Sequence, residues 1–76
     1  MQTIPISIHN FLKARRFCSL VSRFHGRFDL LQDHYVVNAA SLLGLFSLDL
    51  SRPMTLSFES EEDPSEVKEA FREFTI

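Results

Sequence analysis

The sequence predicts a two-layer α+β domain, with helices on one side of a four-stranded sheet and elements in the order β-α-β-β-α-β-α. Three observations predict it. Apolar residues alternate with polar ones over Thr3–Ile8 and again over Met54–Glu59. Between them, Ala14, Phe17, Cys18, Val21 and Phe24 recur at helical spacing. Near the end, Asp63-Pro64-Ser65-Glu66 combines an N-cap aspartate, a proline at the first helical position and an acid at the third.

Each element has its own local reason. In the first strand Ile4, Ile6 and Ile8 share one face, and Pro5, which has no N–H to give a ladder, assigns the strand to a sheet edge. In the first helix Arg15, Arg16, Ser19, Ser22 and Arg23 fill the positions outside the apolar stripe, and Gly26 is expected to end it. Asn10 is a good N-cap and would start that helix at Phe11. Phe28, Leu30 and Leu31, the reversal Gln32-Asp33-His34, and Tyr35-Val36-Val37 read as a hairpin. Ser41 then caps a second helix whose apolar residues, Leu42, Leu43, Leu45, Phe46 and Leu48, surround Gly44. A helix of about eight residues cannot hide so many large side chains on one stripe. Leu45 and Leu48 are therefore expected to face inward, Leu42 to lie at the boundary, and Leu43 and Phe46 to form an exposed apolar contact pair. After the Arg52-Pro53 break, Met54, Leu56 and Phe58 form the last strand, and Val67, Ala70, Phe71 and Phe74 supply the buried face of the final helix.

The length of 76 residues allows one domain, spanning 1–76, and one core. A net charge of −2 gives no global pull toward nucleic acid, but the charges are segregated. Lys13, Arg15, Arg16, Arg23 and Arg27 fall in a stretch without an acid, whereas Glu59 to Glu73 holds seven acids against Lys68 and Arg72. Such polarity suits an anionic partner more than bulk DNA, and no nucleic-acid motif accompanies the basic helix. The lone Cys18 rules out an internal disulfide, and it is expected in the core of a protein kept in a reducing compartment. No apolar run reaches the ~18 residues of a membrane span, and the start lacks a signal-peptide pattern, so a cytoplasmic protein without membrane association is expected.

The element order, the segment NAASLLGLFSL from Asn38 to Leu48 and the Ala14-Arg15 pair opening the first helix together resemble HPr, the histidine-containing phosphocarrier family of the bacterial sugar phosphotransferase system. The likeness runs from about Ile4 to Phe74. It implies an open-faced two-layer β-sandwich with an antiparallel sheet ordered 1-4-2-3. It also implies a regulatory serine at Ser41, the target of a serine kinase, although Ala40 stands where a lysine often precedes that serine. Finally, it implies a continuous docking face made of the second helix and the phosphorylation loop.

The departure concerns the chemistry. The family's Leu/Ile-His-Ala-Arg-Pro run aligns with Leu12-Lys13-Ala14-Arg15-Arg16, so lysine replaces the phosphorylated histidine and arginine replaces the proline. The preceding loop is about two residues short, and Ser51–Met54 lacks the glycine usual there. Imidazole, with an ordinary pKa near 6.5, is largely unprotonated at neutral pH. A lysine with the ordinary value of about 10.4 is neutral in only roughly one molecule in two thousand at pH 7. The resemblance together with this chemistry implies an HPr-like binding or regulatory protein with no catalytic residue, a degenerate site at Lys13, Arg15 and Arg16, and no cofactor. Those three cations at a helix N-terminus could hold an anion, or could be neutralised by acids of the C-terminal helix. Its partners would be phosphotransferase-system proteins or a serine kinase. Two other readings remain: an active phosphocarrier with a displaced acceptor such as His9, and a nucleic-acid binder using the basic helix. His9, His25 and His34 are not spaced as metal ligands.

Overall fold

The computed structural model describes all 76 residues, Met1 to Ile76. Its elements are β1 (Gln2–Ile6), α1 (Phe11–Val21), β2 (Gly26–Gln32), β3 (Tyr35–Asn38), α2 (Leu42–Leu45), β4 (Met54–Ser60) and α3 (Pro64–Ala70), followed by a 3-10 turn at Arg72–Phe74. The strands pair antiparallel in the order β1-β4-β2-β3. Pro5 lies on the edge strand, where only its carbonyl is needed, and that carbonyl accepts from the Ile76 N–H at 3.1 Å. The C-terminal segment thus lines the outer edge of β1, and Thr75 bridges to Ile6.

The alternation places Ile4, Ile6, Phe28, Leu30, Met54, Leu56 and Phe58 on the helix side of the sheet, all buried. Ala14, Phe17 and Val21 of α1, Val67 of α3 and Phe71 at its C-cap close over them, joined by Phe74 from the 3-10 turn. Six of the eight phenylalanines form one linked group. Phe17 meets both Phe71 and Phe74 with ring centroids at 5.2 Å, and Phe28 stacks on Phe58 at 5.6 Å. The remaining two, Phe11 and Phe46, pair with each other outside this core.

Several boundaries differ from the sequence reading. β1 ends at Ile6 rather than Ile8, because the Ser7 and His9 N–H groups bond to Phe74 and Leu50 carbonyls and leave the ladder. Ile8 is still fully buried. Gly26 does not stop α1. The helix ends at Val21 in a tightened turn, with Ser22 Oγ donating to the Ser19 carbonyl at 2.6 Å. Gly26 instead opens β2 at φ 133°, where an added Cβ would sit 2.2 Å from the Glu59 carbonyl oxygen. Cys18 is not a core residue but half-buried at its margin, its Sγ 3.6 Å from the Ala39 carbonyl oxygen, and burial pushes its thiol pKa up.

α2 is a single turn of four residues, shorter than the eight anticipated. Ser47 Oγ donates to the Gly44 carbonyl at 2.6 Å and diverts the chain. Gln32, buried on the helix side at the end of β2, then clips the following loop: its amide donates to the Asp49 carbonyl at 2.9 Å and accepts from the Asp49 N–H at 2.8 Å.

Candidate functional site

The first turn of α1 is set by Asn10. Its extended backbone (φ −146°, ψ 174°) ends the preceding loop, and its side-chain oxygen accepts from the Lys13 N–H at 3.0 Å. His9, directly before the cap, turns the chain at φ 75°. No acid occupies the first turn, so Lys13, Arg15 and Arg16 stand on α1 against the favourable direction of the helix dipole. One of the three is compensated: an Arg16 Nη reaches both carboxylate oxygens of Glu73 at 2.9 and 2.8 Å. Lys13, Arg15 and, further along, Arg23 have no carboxylate within ion-pair distance.

α2 lies beside this turn. Ser41, at φ −94° and ψ 111°, caps it by accepting from the Gly44 N–H at 3.0 Å. Leu45 and Leu48 are buried and Leu42 is half-buried, which leaves Leu43 83% and Phe46 44% exposed. Those positions agree with the sequence reading. Phe46 is not free, however. Its ring stacks on Phe11 with centroids 5.4 Å apart and planes inclined by 15°. Phe11 is 51% and Leu12 68% exposed, so an apolar strip runs from Leu43 through Phe46 and Phe11 to Leu12, beside the cations of α1.

Phe11 is the residue the sequence reading missed. It was legible only as the first helical position. Its place off the stripe of Ala14, Phe17 and Val21 is the signal that it would be left outside the core. Glu73 was anticipated only as one acid among seven.

The structure keeps the three histidines apart. His9 has its Nε2 3.0 Å from Ser7 Oγ. His34 lies in the hairpin turn. His25 joins Glu62, whose carboxylate accepts from the His25 N–H at 3.0 Å and meets the ring Nδ1 at 2.9 Å. Hydrogen bonding to Glu62 and the nearby charges of Glu62 and Glu61 raise the His25 pKa above its ordinary 6.5. Bonds from Ser60 Oγ, the His25 ring and the His25 N–H lower Glu62 to about 2. No group of three or more histidine, cysteine, aspartate or glutamate side chains converges as metal ligands would, and no helix is long and apolar enough to cross a membrane.

No protein-family model matches the sequence, and no curated protein matches it. Solved structures do. The chain is similar to HPr-C-His from Thermoanaerobacter tengcongensis, with a TM-score of 0.78 and 29% identity over 96% of this chain and 89% of that one. It is also similar to the phosphocarrier protein HPr from Bacillus anthracis str. Ames, with a TM-score of 0.72 and 29% identity over 99% and 94% of the two chains. The chain has the HPr-like fold. A histidine-containing phosphocarrier protein of Mycoplasma shares that fold at a TM-score of 0.73 and 11% identity, over 95% of this chain and 89% of that one. The strand order is the one the resemblance to HPr implied, and the helices lie on one side of the sheet as the sequence pattern predicted. Two of these neighbours are named as phosphocarrier proteins.

Proposed function

We propose that this protein is a cytoplasmic HPr-like binding and regulatory module of the phosphoenolpyruvate-dependent sugar phosphotransferase system that has lost the phosphoacceptor histidine. Lys13 stands at the aligned position, and the basic first turn with Arg15 and Arg16 serves as an anion-attracting docking patch rather than a phosphoryl carrier. The observation that carries this reading is the Phe11–Phe46 stack. It ties the first turn of α1 to α2, so that the cations and the apolar pair Leu43 and Phe46 offer one face. Aromatic anchors in such a face contribute disproportionately to protein binding.

Two features support the loss of phosphoryl transfer. Arg16 is the sixth residue of α1, where a proline would remove an interior hydrogen bond at a cost of ~3 kcal/mol; a helix that starts at Phe11 is therefore compatible with arginine and not with the family's proline. His9, the displaced candidate, has its ring engaged by the Ser7 hydroxyl. Ser41 is assigned two roles, the cap of α2 and a serine-kinase target. A phosphate there would face the N-terminal N–H groups of the same turn.

The test is competition. Added in excess, the protein should slow phosphoryl transfer from the first enzyme of the system to an ordinary histidine-bearing HPr, because both occupy one surface. The Leu43→Ala and Phe46→Ala variants should lose that effect. Undiminished transfer at saturating protein would overturn the assignment.

A further inference from the structure

A shallow groove runs along α1 from Leu12, where the apolar strip ends. Leu12 forms part of its wall, and Arg15, Arg16, Ser19, Arg23 and Glu73 supply its polar groups. Arg16 and Ser19 lie one turn apart on α1, and Arg23 follows in the turn just past its end, so that all three line the groove. Arg15 and Arg23 have no carboxylate partner, and Arg16 shares its charge with Glu73 alone. Three guanidinium groups against one carboxylate leave the groove with a charge of about +2 in a concave setting, where the field of like charges adds.

The geometry points to a binding site for a phosphoryl dianion in this groove, held by Arg16 and Arg23 with the Ser19 hydroxyl as a third donor. Charge selects the ligand class. A single carboxylate, as Glu73 demonstrates, satisfies one arginine only, whereas a phosphate monoester brings about two negative charges and three acceptor oxygens. Planar guanidinium forks match those oxygens, and the serine hydroxyl fills an acceptor direction that a second fork would not reach. Glu73 is then an internal competitor, and an incoming dianion displaces it from Arg16. This site shares Arg15 and Arg16 with the basic patch of the docking face proposed above, but Ser19 and Arg23 lie outside that face, and the loss of binding in Arg23→Ala tests the site independently of it. The phosphoryl group has two sources, a phosphorylated protein segment or a small phosphorylated molecule.

The experiment is a titration of the full chain followed by amide and arginine side-chain NMR at constant ionic strength. The probes are inorganic phosphate, a phosphoserine peptide and the same peptide without its phosphate. Saturable shifts at Arg16, Ser19 and Arg23 with phosphate and phosphopeptide, and none with the plain peptide, are expected. Arg23→Ala should weaken binding about tenfold, the worth of one charge-assisted contact. Glu73→Gln should tighten it, and Arg52→Ala, which removes a cation paired with Asp33 outside the groove, should leave it unchanged. A phosphopeptide that binds more tightly than phosphate supports the protein-borne source, and equal affinity supports the free one. Shifts that chloride reproduces, or equal losses in Arg23→Ala and Arg52→Ala, would overturn the site in favour of a diffuse basic surface.

Discussion

Replacing Phe46 by alanine separates a docking anchor from a core residue. The ring is 44% exposed, so slightly more than half of it is hidden, against Phe11 and the base of α2. Full burial of such a side chain stabilises by roughly 1.5–3 kcal/mol, and an aromatic pair adds ~0.5–1.5 kcal/mol. Half the first figure with part of the second gives an expected stability loss of about 1–2 kcal/mol. A core Phe→Ala change costs ~3–5 kcal/mol. The stack therefore makes this variant more costly than a free surface residue would be, and the same bond should appear as coupling of ~0.5–1.5 kcal/mol in a double-mutant cycle with Phe11→Ala. Urea denaturation reads the stability, and calorimetric titration with the system's first enzyme reads the binding. Binding should fall by ~1–3 kcal/mol. A stability loss above about 3 kcal/mol with binding intact would show that Phe46 belongs to the core, and the docking face would have to be abandoned.

Arg16→Pro should destabilise the fold by ~3 kcal/mol and shorten α1 from its N-terminal side, visible as loss of helical circular dichroism; unchanged helicity would remove one support for the altered site. Gly26→Ala should cost roughly 1–3 kcal/mol, because φ 133° and the close Glu59 carbonyl both exclude a Cβ, and denaturant melts measure it. The His25–Glu62 clasp sets a pH window. The raised His25 pKa gives stability that is fully present below 6.5 and lost as pH rises through the folded value. The lowered Glu62 pKa gives stability that is present above 4.5 and lost as pH falls toward about 2. Thermal midpoints should therefore be highest between these limits, and His25→Asn should flatten the decline on the alkaline side. A decline of the same size in that variant would point to another group.

Much of the fold could be read from the sequence because its signals are local. Alternation at Ile4 and Ile6, the caps Asn10, Ser41 and Asp63, and the stripe of Ala14, Phe17 and Val21 each depend on residues a few places apart. Gly26 was misread because helix stop and strand start make the same demand for a glycine, and only the approach of β4 to β2 decides between them. The short α2 escaped notice for a similar reason, since the Gln32 clip joins residues far apart in sequence. In the candidate site the exposed Leu43 and Phe46 followed from crowding on a small helix. Their tie to Phe11 and the Arg16–Glu73 pair did not, because both are contacts across the fold. The chemical consequence of Lys13 came from resemblance to HPr, and periodicity alone would have left it an ordinary surface lysine.

The central claim, docking without phosphoryl transfer, meets its most direct test in mass analysis of the protein after incubation with phosphoenolpyruvate and the system's general first enzyme. An ordinary HPr in the same tube serves as positive control. An unmodified mass is expected for this protein while the control gains one acid-labile phosphoryl group. An acid-labile phosphoryl group on His9, or on any other histidine of this chain, would contradict it and identify a working carrier with a displaced acceptor.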